Sequence, residues 1–110
     1  MKQTIKLDTI EVSQEKSINL NLKIAHLILL DYLYQFFSSG SAKVIYNQNN
    51  EPYFYITLNK ILSDMPIFCI KKRRLQELFL DLETAKIIER FSKKNSPSIF
   101  IKLNLSLLEP

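Results

Sequence analysis

The sequence is poor in the residues that build metal centres, disulfide bonds and tight catalytic loops. It contains one cysteine, one histidine, one glycine and no tryptophan among 110 residues. A single cysteine cannot form a disulfide within the chain, and one cysteine with one histidine cannot supply the ligands of a zinc cluster. We therefore expect no metal, no cofactor and a reducing, cytoplasmic setting.

The motifs of an active site are missing as well. The sequence has no glycine-rich phosphate loop, no pair of carboxylates beside a base and no Ser/His/Asp set. One glycine, Gly40, leaves little of the tight backbone geometry that catalytic loops use. His26 has no cysteine or carboxylate at ligand spacing, so we expect a surface or core-edge residue. The protein is therefore predicted not to be an enzyme.

Long hydrophobic runs are also absent. No apolar run exceeds four residues, as in Leu27–Leu30, whereas a helix that spans a bilayer needs about 20. The N-terminal stretch "MKQTIKLDTIEV" lacks the hydrophobic core of a signal peptide. An apolar fraction of 46% with 24% charged residues is typical of a folded domain. We expect one domain over 1–110 and no membrane partner.

The net charge of +4 is concentrated in one part of the chain. Residues 71–94 contain eight cations and four acids, while cations and acids cancel in 1–70 and in 95–110. Localised positive charge is typical of a nucleic-acid-binding surface. The alternative for the run "KKRR" (71–74) is a solvated helix end. However, cations at a helix N-terminus oppose the helix dipole, and selection for stability alone would favour acids there.

Apolar periodicity predicts the order of the elements. Residues 1–20 are expected to form an extended arm or strand, and 21–105 a core that begins with a helix from Leu22 to about Phe37. Asn21 is the expected cap of that helix. The following segments are predicted to be, in order, a hairpin ("KVIYNQNNEPYFYI"), a short helix capped by Thr57 ("TLNKILSDM"), a basic helix ("KKRRLQELFLDLETA") and two antiparallel strands ("IIERF" and "SIFIKLNL").

The short helix, the turn, the basic amphipathic helix and the basic hairpin together resemble a winged helix-turn-helix DNA-binding domain. The resemblance covers about residues 20–105 and is nearest to small phage and plasmid proteins that are replication-initiator-like or regulatory. It rests on "YFYITLNKILSDMPIF", where the short helix ends in D-x-P-I, and on "LQELFLDLETAKIIERF". Leu75, Phe79 and Leu82 fit the apolar positions of the family's recognition helix, and Lys86 stands where the family carries glycine.

The resemblance implies an α+β fold, a winged helix-turn-helix with a long N-terminal helix, an extra β-hairpin and a two-stranded wing. It also implies that the start of the basic helix and the wing contact duplex DNA. Arginine suits guanine and glutamine suits adenine in the major groove, whereas lysine suits phosphate. The residues carried over to DNA contact are Lys71, Lys72, Arg73, Arg74, Gln76, Arg90, Lys93, Lys94 and Asn95.

A second hypothesis is that the same scaffold binds protein. The second half of the basic helix carries Glu77 and Asp81, and Leu80 lies off its predicted core face. The long helix has a second apolar stripe that the N-terminal arm or a partner chain would cover. The partner would be a second copy of the chain or a host protein, as for a phage-encoded inhibitor of a host defence or of a replication protein. The predicted protein contacts are Leu27, Leu30, Tyr34 and Leu80.

Overall fold

A computed structural model describes residues 3–40, 42–66, 71–92 and 98–110 of an α+β domain. In these ranges the helices are α1 (Gln14–Asn19), α2 (Ile24–Ser38), α3 (Leu58–Asp64) and α4 (Lys72–Thr84), followed by a short 3-10 helix (Leu105–Leu108). The strands are β1 (Thr4–Lys6), β2 (Glu11–Ser13), β3 (Val44–Tyr46), β4 (Pro52–Thr57), β5 (Ile88–Ser92) and β6 (Ser98–Leu103).

The described strands form two antiparallel sheets. β1 and β2 make a small hairpin, while the other four strands lie in the order β3-β4-β6-β5. The hairpin predicted before α3 and the strand pair predicted after α4 are both confirmed. They join into one sheet because β4 pairs with β6, where Phe54 lies opposite Ile101. The helices α3 and α4 therefore lie in the connection from β4 to β5, two strands of one sheet that have β6 between them.

The core lies between the helices and one face of the four-stranded sheet. The predicted buried face of α4 is confirmed, since Leu75, Leu78, Phe79 and Leu82 are all fully buried. Side chains from β4, β5 and β6 meet this face of the helix layer, among them Ile56, Ile88 and Ile101. The i, i+3, i+4, i+7 spacing of α4 thus orients the helix, leaving the opposite face outward.

The N-terminal segment differs from the prediction. The expected extended arm is a hairpin followed by α1, because the Ser13 hydroxyl accepts a hydrogen bond from the Lys16 backbone N–H at 3.2 Å and caps a helix. Asn21 is not the cap of α2. It has φ 61° just after α1, a left-handed conformation that asparagine tolerates, and Lys23 occupies the cap position instead.

Lys86, just after α4, stands where the winged helix-turn-helix proteins that the sequence resembles carry a glycine. Lys86 adopts the left-handed conformation there, with φ 64°. Its backbone N–H donates to the Glu83 carbonyl at 2.9 Å, and the Ile87 N–H donates to the Leu82 carbonyl at 3.0 Å. This pair of bonds is a Schellman ending, and the buried side chains of Ile87 and Leu82 accompany it. The fold therefore accepts a backbone cost of about 1–2 kcal/mol at Lys86.

Leu27 and Leu30, predicted as protein contacts, are instead core residues of the folded chain. Their exposed fractions are 1% and 0%, and both belong to the core cluster against which residues of the N-terminal hairpin also pack. The Asp31 carboxylate fixes the hairpin by accepting hydrogen bonds from the Thr9 N–H at 2.7 Å and the Ile10 N–H at 3.1 Å. Two residues of the second stripe of α2, Leu27 and Leu30, are thus part of the core, while the third, Tyr34, is exposed.

Candidate nucleic-acid interface

The first turn of α4 and its cap residue, Lys71–Arg74, form the basic start of α4. All four side chains are exposed, and Lys71 at the cap position makes no side-chain capping hydrogen bond. Lysine has no acceptor atom, so the first backbone N–H groups of the helix stay available to an external anion. The helix dipole adds to the four positive charges at this point.

Most of these cations have no carboxylate partner in the part of the chain that the structure describes. Arg74 approaches the Glu77 carboxylate at 4.0 Å, the limit of an ion pair. Over the described residues, no carboxylate lies within ion-pair distance of Lys71, Lys72 or Arg73. The basic start of α4 is therefore an uncompensated positive surface, as an interface with polyanions requires.

The outward face of α4 continues from this surface along the helix. Arg73, Gln76, Glu77 and Leu80 are all exposed, with 58% of Leu80 accessible to solvent. Gln76 lies beside the basic start, where the resemblance places a base contact. Leu80 is the large apolar side chain that this face presents, so the prediction that it lies off the core face is confirmed.

Arg90, a predicted phosphate contact, is used inside the fold. Its Nε donates to the Glu83 carboxylate at 2.5 Å, and its guanidinium lies 5.5 Å from the centre of the Phe79 ring. These contacts tie β5 to α4, and both side chains of the pair are mostly buried. The Nε donor of Arg90 is therefore already used by Glu83. The other predicted wing contacts, Lys93, Lys94 and Asn95, lie outside the described residues.

His26 links the start of α2 to α4. The Lys23 backbone N–H donates to Nδ1 of His26 at 2.9 Å, and Nε2 of His26 lies 2.9 Å from the Asp81 carboxylate. Since Nδ1 accepts, the hydrogen-bond network assigns the proton to Nε2, which donates to Asp81. With 3% exposure, His26 is a buried structural residue. The sequence predicts a surface or core-edge residue and carries no signal for a partner 55 residues away.

The sheet face turned away from the helices carries an aromatic layer made of Tyr53, Tyr55, Phe91 and Phe100. The Phe91 and Phe100 rings stack with centroids 5.0 Å apart, and Tyr53 meets Phe91 at 5.3 Å. Beside the layer, Lys102 is paired with Glu51 and lies 3.4 Å from Glu89. The hydrogen bond to Glu51 raises the pKa of Lys102.

Tyr34, the remaining predicted protein contact, is 41% exposed. It lines an open groove of about 500 Å³ with Phe37, Phe54 and residues of the C-terminal segment. Tyr34 and Leu80 are therefore accessible, in contrast to Leu27 and Leu30.

The described ranges contain neither a metal-binding cluster nor a membrane-spanning helix. No three His, Cys, Asp or Glu side chains of this part of the chain lie close enough together to hold a metal ion. In the same ranges, no helix combines the length and the apolar character needed to cross a bilayer. Comparison with protein-family models, with curated proteins and with solved structures gives no match.

Proposed function

We propose that this protein is a non-enzymatic winged helix-turn-helix protein that binds duplex DNA through the basic start of α4. The observation that carries the proposal is the set of exposed cations at Lys71–Arg74, three of which have no described carboxylate partner. Such cations can release the counterions condensed on DNA, which supplies most of the affinity for a duplex.

The order of the elements supports the winged-helix interpretation. The short helix α3 and the basic helix α4 follow β4, and the strands β5 and β6 then return to pair beside β4. The buried face of α4 packs on this sheet and the basic start points outward. In a winged helix-turn-helix the second helix of the motif enters the major groove, which is the role we propose for α4.

Chemistry divides the proposed contacts into two kinds. Lys71, Lys72 and the free N–H groups of the first turn suit phosphate oxygens, which position the protein without reading sequence. Arg73 suits the O6 and N7 atoms of guanine, and Gln76 suits adenine. We propose that the protein acts in the cytoplasm as a regulator or replication accessory of a phage or mobile element. A dimer would increase the small DNA surface that one such module covers.

The experiment is the affinity for a random-sequence duplex, measured against salt concentration. On a random sequence, where no particular base is read, contact of the four cations of Lys71–Arg74 with phosphates predicts a slope of log K on log salt of about −3 to −4. The double variant Arg73→Ala/Arg74→Ala should weaken binding strongly and flatten this slope, while the control Lys43→Ala, an exposed lysine elsewhere, should change little. An unchanged double variant, or no duplex binding at low salt, would contradict the proposal.

A second candidate function is protein binding on the same scaffold. It is favoured by Leu80, 58% exposed in the middle of the outward face of α4, and by the acids that follow the basic start. A leucine in this position suits a protein interface, whose centre is apolar and depleted of charge. A host protein that co-purifies in a 1:1 ratio with the wild type and not with Leu80→Asp would support this candidate.

A further inference from the structure

A polar groove runs beside the basic start of α4. It lies between α4 and the junction of α1 with α2, has a volume of about 490 Å³, and is open to solvent. Arg74 lies at one end, belonging both to the groove and to the basic start of α4. The polar and charged side chains that also line the groove include those of Asn19, Asn21, Lys23 and Asp81.

The groove is lined by two cations, Lys23 and Arg74, and one acid, Asp81. Lys23 is exposed and makes no side-chain capping hydrogen bond, and Arg74 has only the 4.0 Å contact with Glu77. Asp81 is the acid that lines the groove, and its carboxylate already accepts a hydrogen bond from His26. Seven residues separate Arg74 from Asp81 on α4, which is about 10 Å along the helix axis.

The groove also contains donors of a second kind. Asn19 and Asn21 line it from the end of α1, and a side-chain amide can donate two hydrogen bonds. Both asparagines are exposed, so their amides are accessible from solvent. Two cations and two amides from three different elements thus border one opening next to the helix that we propose enters DNA.

We propose that this groove binds one backbone phosphodiester of the duplex, held by Lys23 and Arg74. The inference rests on the proposed function and extends it. While the first turn of α4 reaches the major groove, the strand at its edge passes over the junction of α1 and α2. Lys23 then supplies a phosphate contact from outside the helix-turn-helix, which fixes the angle at which α4 enters the groove.

The test compares Lys23→Gln with Lys43→Gln, a matched removal of one exposed lysine outside the groove. Neither side chain is buried, so both variants should fold, which circular dichroism checks. Because Lys23→Gln would lose one phosphate contact, it should make the slope of log K on log salt shallower by about 0.9. It should also weaken duplex affinity about tenfold at low salt. Lys43→Gln should match the wild type on both measures.

The outcomes separate this inference from the proposed function. If Arg73→Gln weakens duplex binding while Lys23→Gln equals the wild type, the groove does not bind phosphate and the proposed function stands. Equal losses of duplex affinity in Lys23→Gln and Lys43→Gln would also contradict phosphate binding in the groove, since equal losses would reflect the change in net charge alone. A wild type that binds no duplex overturns both.

A second experiment distinguishes a phosphate of the DNA backbone from free inorganic phosphate. Inorganic phosphate and a short duplex are titrated separately into labelled protein, and the amide resonances of Asn19 and Lys23 are followed by NMR. We expect saturable shifts with the duplex at far lower concentration than with inorganic phosphate. Shifts that saturate with inorganic phosphate and are not reproduced by the duplex would contradict a phosphodiester ligand.

Discussion

The cations of the sheet have carboxylate partners, whereas most of the cations at the start of α4 have none among the described residues. On the sheet, Arg90 is paired with Glu83 and Lys102 with Glu51. At the start of α4, Lys72 and Arg73 have no described carboxylate within reach and oppose the helix dipole. Paired cations hold strands to their neighbours, whereas unpaired cations at a helix N-terminus cost stability. Within the basic block of 71–94, Arg90 is therefore paired inside the fold, while Lys72 and Arg73 have no described carboxylate partner.

The largest expected effect separates the two faces of α4. Phe79→Ala should lower the free energy of unfolding by about 3–5 kcal/mol, because a fully buried ring is removed and Arg90 loses its aromatic contact. The neighbouring change Leu80→Ala, on the exposed face, should stay within about 0.5 kcal/mol. Urea unfolding of both variants measures the difference. Equal losses would mean that the outward face of α4 is packed.

The hydrogen bonds of His26 between α2 and α4 are expected to make the next largest contribution to the free energy of unfolding. His26→Ala removes the acceptor for the Lys23 N–H and the donor to Asp81, and should cost about 2 kcal/mol. Asp81→Asn keeps an acceptor oxygen and should cost less than half as much. Urea unfolding ranks the two variants, and ¹⁵N NMR should place the His26 proton on Nε2. A proton found on Nδ1 would contradict this link.

A pair of arginine variants tests the contrast between paired and unpaired cations directly. Arg90→Ala should lower the free energy of unfolding by about 1–2 kcal/mol through the lost Glu83 pair and the lost Phe79 contact. Arg73→Ala should leave stability within about 0.5 kcal/mol. Thermal unfolding under identical conditions gives both values. An equal loss in the two variants would remove the distinction between fold and interface cations.

The smallest effect is a pH dependence on the sheet. Hydrogen bonds from Asn47 and Lys102 hold the pKa of Glu51 below its ordinary value. The unfolded chain therefore binds a proton at higher pH than the folded chain. The contribution of Glu51 is present above its unfolded pKa and is lost as pH falls through the folded pKa. In Lys102→Gln, the fall in urea midpoint on acidification should be shallower than in the wild type. A steeper fall would contradict the pairing.

Most of the fold could be predicted because its signals are local. The boundaries of α2 and α4 follow from apolar spacing, and Thr57 caps α3 as expected, its hydroxyl accepting from the Lys60 N–H at 3.1 Å. The exposure of Lys71–Arg74 and Leu80 also follows from the helical repeat once the buried face of α4 is known.

What sequence could not supply depends on contacts between distant residues. The alternation around Ile18 and Leu20 favours a strand, but the Ser13 cap and the left-handed Asn21 make α1 instead. The sequence also gives no sign that the Asp31 carboxylate binds the Thr9 and Ile10 N–H groups, more than 20 residues earlier, and so holds the N-terminal hairpin to α2. Arg90 is predicted as a phosphate contact from the winged-helix resemblance, and only the fold shows Glu83 beside it.

The central claim is that the unpaired cations at the start of α4 contact DNA and that the paired cations of the sheet do not. It is tested most directly by the salt dependence of affinity for a random-sequence duplex, on which Arg73 would meet phosphate rather than a chosen guanine, measured for Arg73→Gln, Arg90→Gln and the wild type. We predict that Arg73→Gln reduces the steepness of log K against log salt by about 0.9, and that Arg90→Gln leaves it unchanged. Equal reductions in both variants, or a wild type without duplex affinity, would contradict the claim.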